Sequence, residues 1–440
     1  MNDKKTYSCS ALHNSLYLAP DELRHCCKRF YVDGKMKGDV KIFPVTKSTD
    51  INAKNIIKAK KKLYDEINSG EKETPCTGCP YLVKDNWPSL EKLEIKHLSI
   101  ESHSVCSMKC TYCNETYYGG KKANYNLEEI LKNLIESKSI SKELSVAWGG
   151  GEPVLLDNFD KIFEMVNEKM KPYSTMVYTN AIKYNKYIEK YLKSGKVKIT
   201  TSIDAGTKET FKKIRGVKGM QKVLSNLEKY FVEAQKGVVV KYILTDDNFS
   251  DLEIDSFLDN IKKNNLQNCE FQISSDFADE NISKEKIFSA LGLYFGLKKL
   301  GVNYCFVDYH LRPRLQDAIK KFILTDDKGF KKVLLNHNSN ELKFENIKKV
   351  IIWGAGDTGR NIINDSFILK KYNIKIDFIV DSDQKIQEKK ICGLSVKQPK
   401  SVLKSEDPII IASTSAYKEI QSYLNSIGVA KNRILDGIYF

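Results

Sequence analysis

The chain has 440 residues, 41% of them hydrophobic, and a formal charge of +15 from 71 Lys and Arg against 56 Asp and Glu. This balance excludes a disordered or fibrous chain, and no run approaches the ~20 apolar residues that a membrane span needs. Only seven of the 71 basic residues are arginine and the lysines are scattered, which describes a solvated surface rather than a nucleic-acid stripe.

No nucleic-acid partner is therefore expected, although a positive field favours an anionic substrate such as a nucleotide sugar. The length allows two to four domains. The first residues, MNDKKTYSCSALHNS, carry basic groups without an apolar core behind them, so no secretion signal is expected and the cytoplasm is the expected location. Eleven cysteines in a reducing compartment point to metal or catalysis before disulfides.

Residues 1–90 hold five of those cysteines. Cys9, Cys26 and Cys27 come early, and PCTGCPY adds Cys76 and Cys79 after a predicted hairpin and a helix over INAKNIIKAKKKLYDEINSG. A Cys-x2-Cys pair with two distant cysteines makes a four-ligand metal site, for zinc or an iron–sulfur cluster. The expected ligands are Cys9, Cys26, Cys76 and Cys79, with Cys27 the substitute for Cys26.

From residue 91 to 300, strand patterns alternate with helical ones. Strands are predicted at KLEIKHLSI, ELSVAWG, STMVYTN, VKITTSI, VVVKYIL and CEFQIS. Between them the helices are NLEEILKNLIES, NFDKIFEMVNEK, YNKYIEKYLKS, MQKVLSNLEKYFVEA and LEIDSFLDNIKKN. That order predicts a parallel sheet with right-handed crossovers. After the first strand VCSMKCTYC places Cys106, Cys110 and Cys113 as Cys-x3-Cys-x2-Cys. Thiolates select zinc or iron–sulfur over hard cations. Three cysteines, with His103 the nearest histidine, fall short of a closed zinc site; a 4Fe–4S cluster with one open iron is the other reading. After the second strand, Gly149-Gly150-Gly151-Glu152-Pro153 offers exposed backbone beside an acceptor, which suits an ammonium group; a plain turn is the alternative.

Together these segments resemble the radical S-adenosylmethionine (SAM) enzymes over roughly residues 95–275. The cysteine segment matches their cluster loop, including the aromatic Tyr112, and Gly150-Gly151-Glu152-Pro153 matches their Gly-Gly-Glu-Pro motif. SIDAGTKETFKKIRG at 202–216 looks like the fourth-strand region of members with extra clusters. The resemblance implies an α/β fold, a partial (β/α)6 TIM-like barrel with its chemistry at the carboxyl ends of the strands. It implies that Cys106, Cys110 and Cys113 ligate three irons of a 4Fe–4S cluster whose fourth iron binds SAM. Tyr112 would lie against the adenine through its backbone, and Gly150, Gly151 and Glu152 would hold the methionine ammonium. Asn180 would contact SAM, Ser202 and Asp204 would face its ribose or carboxylate, and Arg215 would pair with the carboxylate; a surface helix position is the alternative for Arg215. An electron donor such as flavodoxin or ferredoxin would be needed. Reductive cleavage of SAM would yield methionine and a 5′-deoxyadenosyl radical that abstracts hydrogen from a substrate. The first 90 residues are similar to the auxiliary-cluster modules called SPASM or twitch domains, which in many members follow the barrel rather than precede it.

Residues 301–345, with LRPRLQD, TDDKGF and NHNSNEL, read as a connector. At 346–440, KKVIIWGAGDTGRNII is a strand, then Gly354-x-Gly356-x-x-Gly359, then a helix, and KIDFIVDSD ends a second strand at Asp381. That is the dinucleotide-binding order, glycines for phosphate approach and an acid for ribose hydroxyls. The short unit resembles the Rossmann-like modules of bacterial surface-polysaccharide enzymes, which implies a nucleotide or nucleotide sugar there, with nicotinamide or a purely structural role as alternatives. Cys269, Cys305 and Cys392 are isolated and expected to be buried small hydrophobes.

The expected function is radical SAM chemistry on a sugar or nucleotide sugar in surface glycan assembly. A maturase of ribosomally made peptides and a non-catalytic nucleotide-binding iron–sulfur protein are the alternatives.

Overall fold

Alternation of polar and apolar residues builds the first sheet of the protein. The computed structural model describes residues 5–440 apart from 71–72, 115–117, 280, 309, 326–343 and 414–415. It divides into two units: residues 1–243 with 255–270 and 276–280, and residues 244–254 with 271–275 and 281–440.

The strands up to residue 244 are β1 (Thr6–Ser8), β2 (Ser15–Leu18), β3 (Glu22–Arg24), β4 (Arg29–Val32), β5 (Lys35–Gly38), β6 (Lys41–Pro44), β7 (Val83–Asp85), β8 (Ile95–Ile100), β9 (Ile140–Trp148), β10 (Ser174–Tyr178), β11 (Val197–Ser202) and β12 (Val238–Leu244). Their helices are α1 (Ser10–Asn14), α2 (Ala53–Asn68), α3 (Leu127–Glu136), α4 (Phe159–Met165), α5 (Lys186–Ser194), α6 (Lys208–Arg215), α7 (Met220–Ala234) and α8 (Asp251–Lys263). Strands β8 to β12 pair in parallel and in chain order. Each connection carries a helix, the alternation of a partial α/β barrel. All six strands expected between 91 and 300 form; the last is β13 (Glu270–Ser275).

One face of this sheet is oil. Leu98, Ile100, Val146, Trp148, Val177 and Ile199 are buried, and Trp148 packs its indole edge-on against Phe159 and Phe163 of α4 at 5.3 and 5.6 Å. Such aromatic contacts add about 1 kcal/mol each beyond the area they bury. The opposite face is polar. Register puts Tyr17 beside Ser99, Ser99 beside Ala147, Ala147 beside Met176, Met176 beside Lys198 and Tyr178 beside Thr200, and directly paired residues share a face.

The first 90 residues are not a free-standing module. The order within the sheet is β12-β11-β10-β9-β8-β2-β3-β6, so three N-terminal strands extend the barrel sheet. β2 pairs with β8 in parallel, which the long crossover through α2 permits. The expected hairpin is β4–β5, turned by Asp33 and Gly34 at φ 50° and 71°, the positive angles a two-residue hairpin loop requires.

Lys60 of α2 is 2% exposed. Its ammonium donates to the carbonyls of Leu12, His13 and Ser15 at 2.7, 3.5 and 2.8 Å, closing the carbonyl end of α1. Burial pulls its pKa from 10.5 down to about 7. Between those two values the unfolded chain binds the proton that the folded chain has released, so stability rises with pH across that window. Urea titrations of the apoprotein at neutral and alkaline pH are expected to show the rise, and Lys60→Met to flatten it.

The 301–345 stretch is more structured than a connector. It holds β14 (Cys305–Val307), which pairs in parallel with β13. It follows α9 (Lys284–Lys299) and carries α10 (Leu311–Thr325). LRPRLQD opens α10 because a proline in the first helical turn forfeits no hydrogen bond. TDDKGF beyond Thr325, and NHNSNEL, lie outside the described residues.

The C-terminal part of the second unit is a six-stranded sheet of β15 (Lys349–Trp353), β16 (Lys375–Val380), β17 (Lys390–Ile391), β18 (Leu394–Lys397), β19 (Ile409–Ile411) and β20 (Ile434–Leu435), in the order β17-β18-β16-β15-β19-β20. With it go α11 (Asp357–Asp365), α12 (Phe367–Lys371) and α13 (Tyr417–Ser426). Val350, Ile352 and Ile410 bury one face, and Ile351, Trp353 and Ile411 the other. The strand order reverses at β15, the position where open α/β sheets bind ligands. Of the isolated cysteines, Cys269 is buried, Cys305 is half-buried and Cys392 is exposed. Cys392 departs from expectation because it sits in the β17–β18 turn at φ 50°, followed by Gly393 at φ 79°.

Candidate functional site

The cysteine loop leaves the carboxyl end of β8 and is held by main-chain bonds rather than by secondary structure. Lys109 N–H and Thr111 N–H donate to the carbonyls of Arg215 and Ile214 at 3.2 and 2.9 Å, the orphan carbonyls at the end of α6. Gly216 ends that helix at φ +75°, and a Cβ there would stand 2.8 Å from the Lys109 carbonyl. Cys106, Cys110 and Cys113 are all half-buried, and Cys106 lies close enough to raise the pKa of Cys110, as both do that of Cys113. Burial is the larger cause and pushes the Cys113 thiol to about 11. The Arg215 guanidinium acts on all three in the opposite sense, as a cation beside thiolates must.

The glycine turn after β9 packs directly on this loop. Gly151 N–H and Glu152 N–H donate to the carbonyls of His103 and Val105, each at 2.8 Å. A Cβ on Gly151 would lie 2.2 Å from the Val105 carbonyl oxygen, and one on Gly150 2.6 Å from that of His103. These glycines therefore serve close backbone packing, where an open strand end was the expectation. Gly149 faces the polar side, where a Cβ would touch Glu101 and Tyr178 at 3.8 Å each.

Glu152 is 2% exposed. Its carboxylate accepts from Thr179 Oγ1 and from Asn180 N–H, both at 2.6 Å, while burial raises its pKa. Asn180 joins the turn to the loop, its Nδ2 donating to Ser107 Oγ at 3.1 Å and approaching Cys106 Sγ at 3.8 Å.

Asp204, Arg215 and Tyr112 form one buried network. Asp204 is fully buried at φ 57°. One oxygen accepts from Ile243 N–H at 2.7 Å and the other from Tyr112 Oη at 2.6 Å and Arg215 Nη1 at 3.0 Å. Arg215 also reaches the Tyr112 hydroxyl and is 5% exposed, not a surface residue. Ser202, half-buried at the end of β11, pairs in register with Lys241. Loop, glycine turn, Asn180 and the Asp204 network thus converge; a cluster on the three thiolates fits this donor set, with Arg215 as countercharge.

The N-terminal cysteines also converge. Among Cys9, Cys26, Cys76 and Cys79 every pair interacts electrostatically. Cys9, Cys26 and Cys76 pack on Leu12, Val40 and Leu63. Burial pushes Cys76 to about 12 and raises Cys26 and Cys79 as well, so a metal bound there must displace their protons. Among the described residues no three such side chains crowd tightly enough to grip one bare ion; ligands on separate corners of a cluster need not. Cys27 points elsewhere, its thiol donating to Tyr17 Oη at 3.3 Å.

In the second unit, Gly354 at φ +117° makes the tight turn, and a Cβ on Gly359 would fall 1.9 Å from the Gly354 carbonyl oxygen, while Gly356 faces open space. Asp381 accepts from Ala355 N–H at 2.8 Å and from Asp383 N–H at 2.9 Å. Its remaining lone pairs are free of those bonds. A groove of about 590 Å³ runs past Arg312, Lys320, Thr358, Asn361, Ser366 and Phe440, within the size range of small-ligand sites.

The sequence reading missed Glu101, Tyr178 and Tyr17. Their signal is the polar alternation His97, Ser99, Glu101 along β8, which marks a wet sheet face.

Residues 100–259 match the family model for the radical SAM superfamily, and residues 346–435 the model described as C2185-like, N-terminal. A GTP 3′,8-cyclase of Clostridium botulinum is 27% identical over 173 residues, 39% of this chain and 54% of that protein. One of Vibrio cholerae is 25% identical over 174 residues, 39% of this chain and 52% of that protein. The chain spans about half the length of the curated relatives it matches. Among solved structures, native anSMEcpe with bound AdoMet aligns at a TM-score of 0.40 with 19% identity, covering 52% of this chain and 66% of that one. Streptococcus suis SuiB bound to S-adenosylmethionine aligns at 0.36 with 14% identity, covering 75% and 64%.

Proposed function

We propose that this chain, whose residues 100–259 belong to the radical SAM superfamily, is an enzyme that cleaves SAM reductively and abstracts hydrogen from a nucleotide-bearing sugar. The observation that carries the reading is the seating of the Gly150-Gly151-Glu152 turn on the backbone of the cysteine loop. Cys106, Cys110 and Cys113 would hold a 4Fe–4S cluster. A cluster held there together with SAM would supply one-electron chemistry able to activate an unreactive C–H bond. Arg215 offsets thiolate charge, and Tyr112 and Asp204 fix the loop against β11. Glu152 holds the end of β10 so that Asn180 stays beside Cys106.

Cys9, Cys26, Cys76 and Cys79 are assigned to an auxiliary iron–sulfur cluster, because their geometry suits spread ligands better than one zinc ion. A nucleotide or nucleotide sugar is assigned, within the second unit, to the turn at Gly354, Gly356 and Gly359, with Thr358 opening α11 beside the groove and Asp381 at the following strand. Relatives named GTP 3′,8-cyclase make a nucleotide-bearing substrate a consistent choice.

The test is anaerobic: reconstituted chain, dithionite, SAM and a panel of nucleotide sugars deuterated on the sugar ring. Deuterium in 5′-deoxyadenosine is the expected result. Deoxyadenosine without label from any sugar would discard the glycan substrate and leave a peptide substrate. No deoxyadenosine at all would favour a binding protein.

A further inference from the structure

We propose that a groove at the amino-terminal margin of the barrel sheet, at the opposite end of β8 from the cysteine loop, binds a small phosphate- or carboxylate-bearing molecule. The groove has a volume of about 450 Å³, the size of a small-ligand site. It lies where β8 and β9 begin, with Glu94 and Ile140 in its lining. The cysteine loop leaves the other end of β8, six residues and roughly 20 Å away. No residue assigned above to SAM or to a cluster lines it.

The floor of the groove holds polar groups that the protein leaves unsatisfied. His13 of α1 lines it and is 6% exposed. Its ring stacks on Trp87 at 5.0 Å, and its Nε2 shares a hydrogen bond with Ser8 Oγ at 2.9 Å. Its Nδ1 is buried and has no partner among the described residues. Buried polar atoms are costly to leave unpaired, and nearly all of them find a partner. With Ser8 donating to Nε2, Nδ1 carries the hydrogen and seeks an acceptor. The Asn14 amide and the Ser89 hydroxyl line the same groove, and neither bonds to the protein among the described residues.

The rim sets the sign of the charge. Lys96 donates to Glu143 at 2.9 Å, and Ser141 Oγ to Glu94 at 2.9 Å. Lys92, Lys138 and Lys142 are exposed and pair with no carboxylate among the described residues. Four lysines against two glutamates leave the lining at +2. Lysine meets a phosphate or carboxylate as a point charge, and the Nδ1–H supplies direction. Leu90, Leu93 and Ile140 form an apolar wall, which suits an organic anion better than a bare ion.

The test is calorimetric titration of the full-length apoprotein with inorganic phosphate and, separately, with citrate. Ionic strength is held constant so that screening does not change. Uptake of one anion per chain at this groove is expected. Lys138→Glu combined with Lys142→Glu is expected to weaken it about tenfold or more, because each change reverses a charge beside the ligand. His13→Phe keeps a ring against Trp87 and removes Nδ1, and it is expected to weaken binding about tenfold as well. Asn14→Ala takes its place should that variant fail to fold. Citrate bound more tightly than phosphate supports a carboxylate ligand, and the reverse supports a phosphorylated one. No binding of either anion overturns the site. Binding that the charge reversals leave unchanged places the anion elsewhere, as at the glycine turn of the second unit, and overturns it too. Binding that needs the lysines but survives loss of the floor group unchanged is adventitious attraction to exposed lysines only, and also overturns it.

Discussion

A chain with Cys106, Cys110 and Cys113 all replaced by alanine is expected to keep about half its iron, on the order of four atoms where the unaltered chain holds eight. It is also expected to form no 5′-deoxyadenosine. The variant should fold, because the loop is anchored through the Lys109 and Thr111 amides to the end of α6 and not through its sulfurs. Alanine removes half-buried thiols without stranding a buried charge. The retained iron would belong to Cys9, Cys26, Cys76 and Cys79, which the substitutions do not touch. Anaerobic iron and sulfide analysis with electron paramagnetic resonance checks this. Loss of all iron would leave the N-terminal quartet with zinc or nothing, and an unaltered chain that takes up no iron would end the radical SAM reading.

Arg215→Leu is expected to be the most destabilising single change at the site, by about 3–5 kcal/mol, the usual cost of stranding one partner of a buried ion pair. Asp204 would lose its guanidinium partner while keeping Tyr112 and the Ile243 amide. Burial already raises its pKa above 3.8, and Arg215 is the main group holding it down. Without Arg215 the folded chain binds a proton that the unfolded chain has released. Stability of the variant therefore falls as pH rises from about 4 through the raised value. Urea melts of apoprotein at acidic and neutral pH should show a deficit that widens towards neutrality. Adding Asp204→Asn should recover part of it, since contacting residues are not additive. A deficit independent of pH would assign the loss to packing.

Much of the candidate site is legible because its residues are local in sequence. Cys106, Cys110 and Cys113 lie within one loop, and apolar runs alternating with helical patterns located strands β8 to β13. The supporting network is not legible in this way. Arg215 reads as a partner for the SAM carboxylate or as a helix-surface residue, and only the fold brings it to Asp204 and to Tyr112, 103 positions away. Glu152 reads as a ligand for an ammonium, and only the paired ends of β9 and β10 reveal Thr179 and Asn180 as its partners. Cys26 and Cys27 are interchangeable in sequence, and only the fold separates them, Cys26 packing with Leu12, Val40 and Leu63 and Cys27 donating to Tyr17. LRPRLQD reads as a linker because the proline signal outweighs the apolar spacing of Leu311, Leu315 and Ile319, all buried in α10.

The pairing of β2 with β8 bears on how the barrel can be dissected. In a barrel cut free at residue 91, β8 would be an edge strand with open amides and carbonyls, ready to recruit another chain. In the intact protein that margin is covered by Ser15–Leu18, and the outermost strand is instead β6, four residues ending in Pro44 and carrying an exposed Lys41. Lysine and proline are what protect sheet margins from aggregation. The N-terminal cysteine segment thus also caps the barrel sheet, which ties the solubility of the barrel to the segment that precedes it.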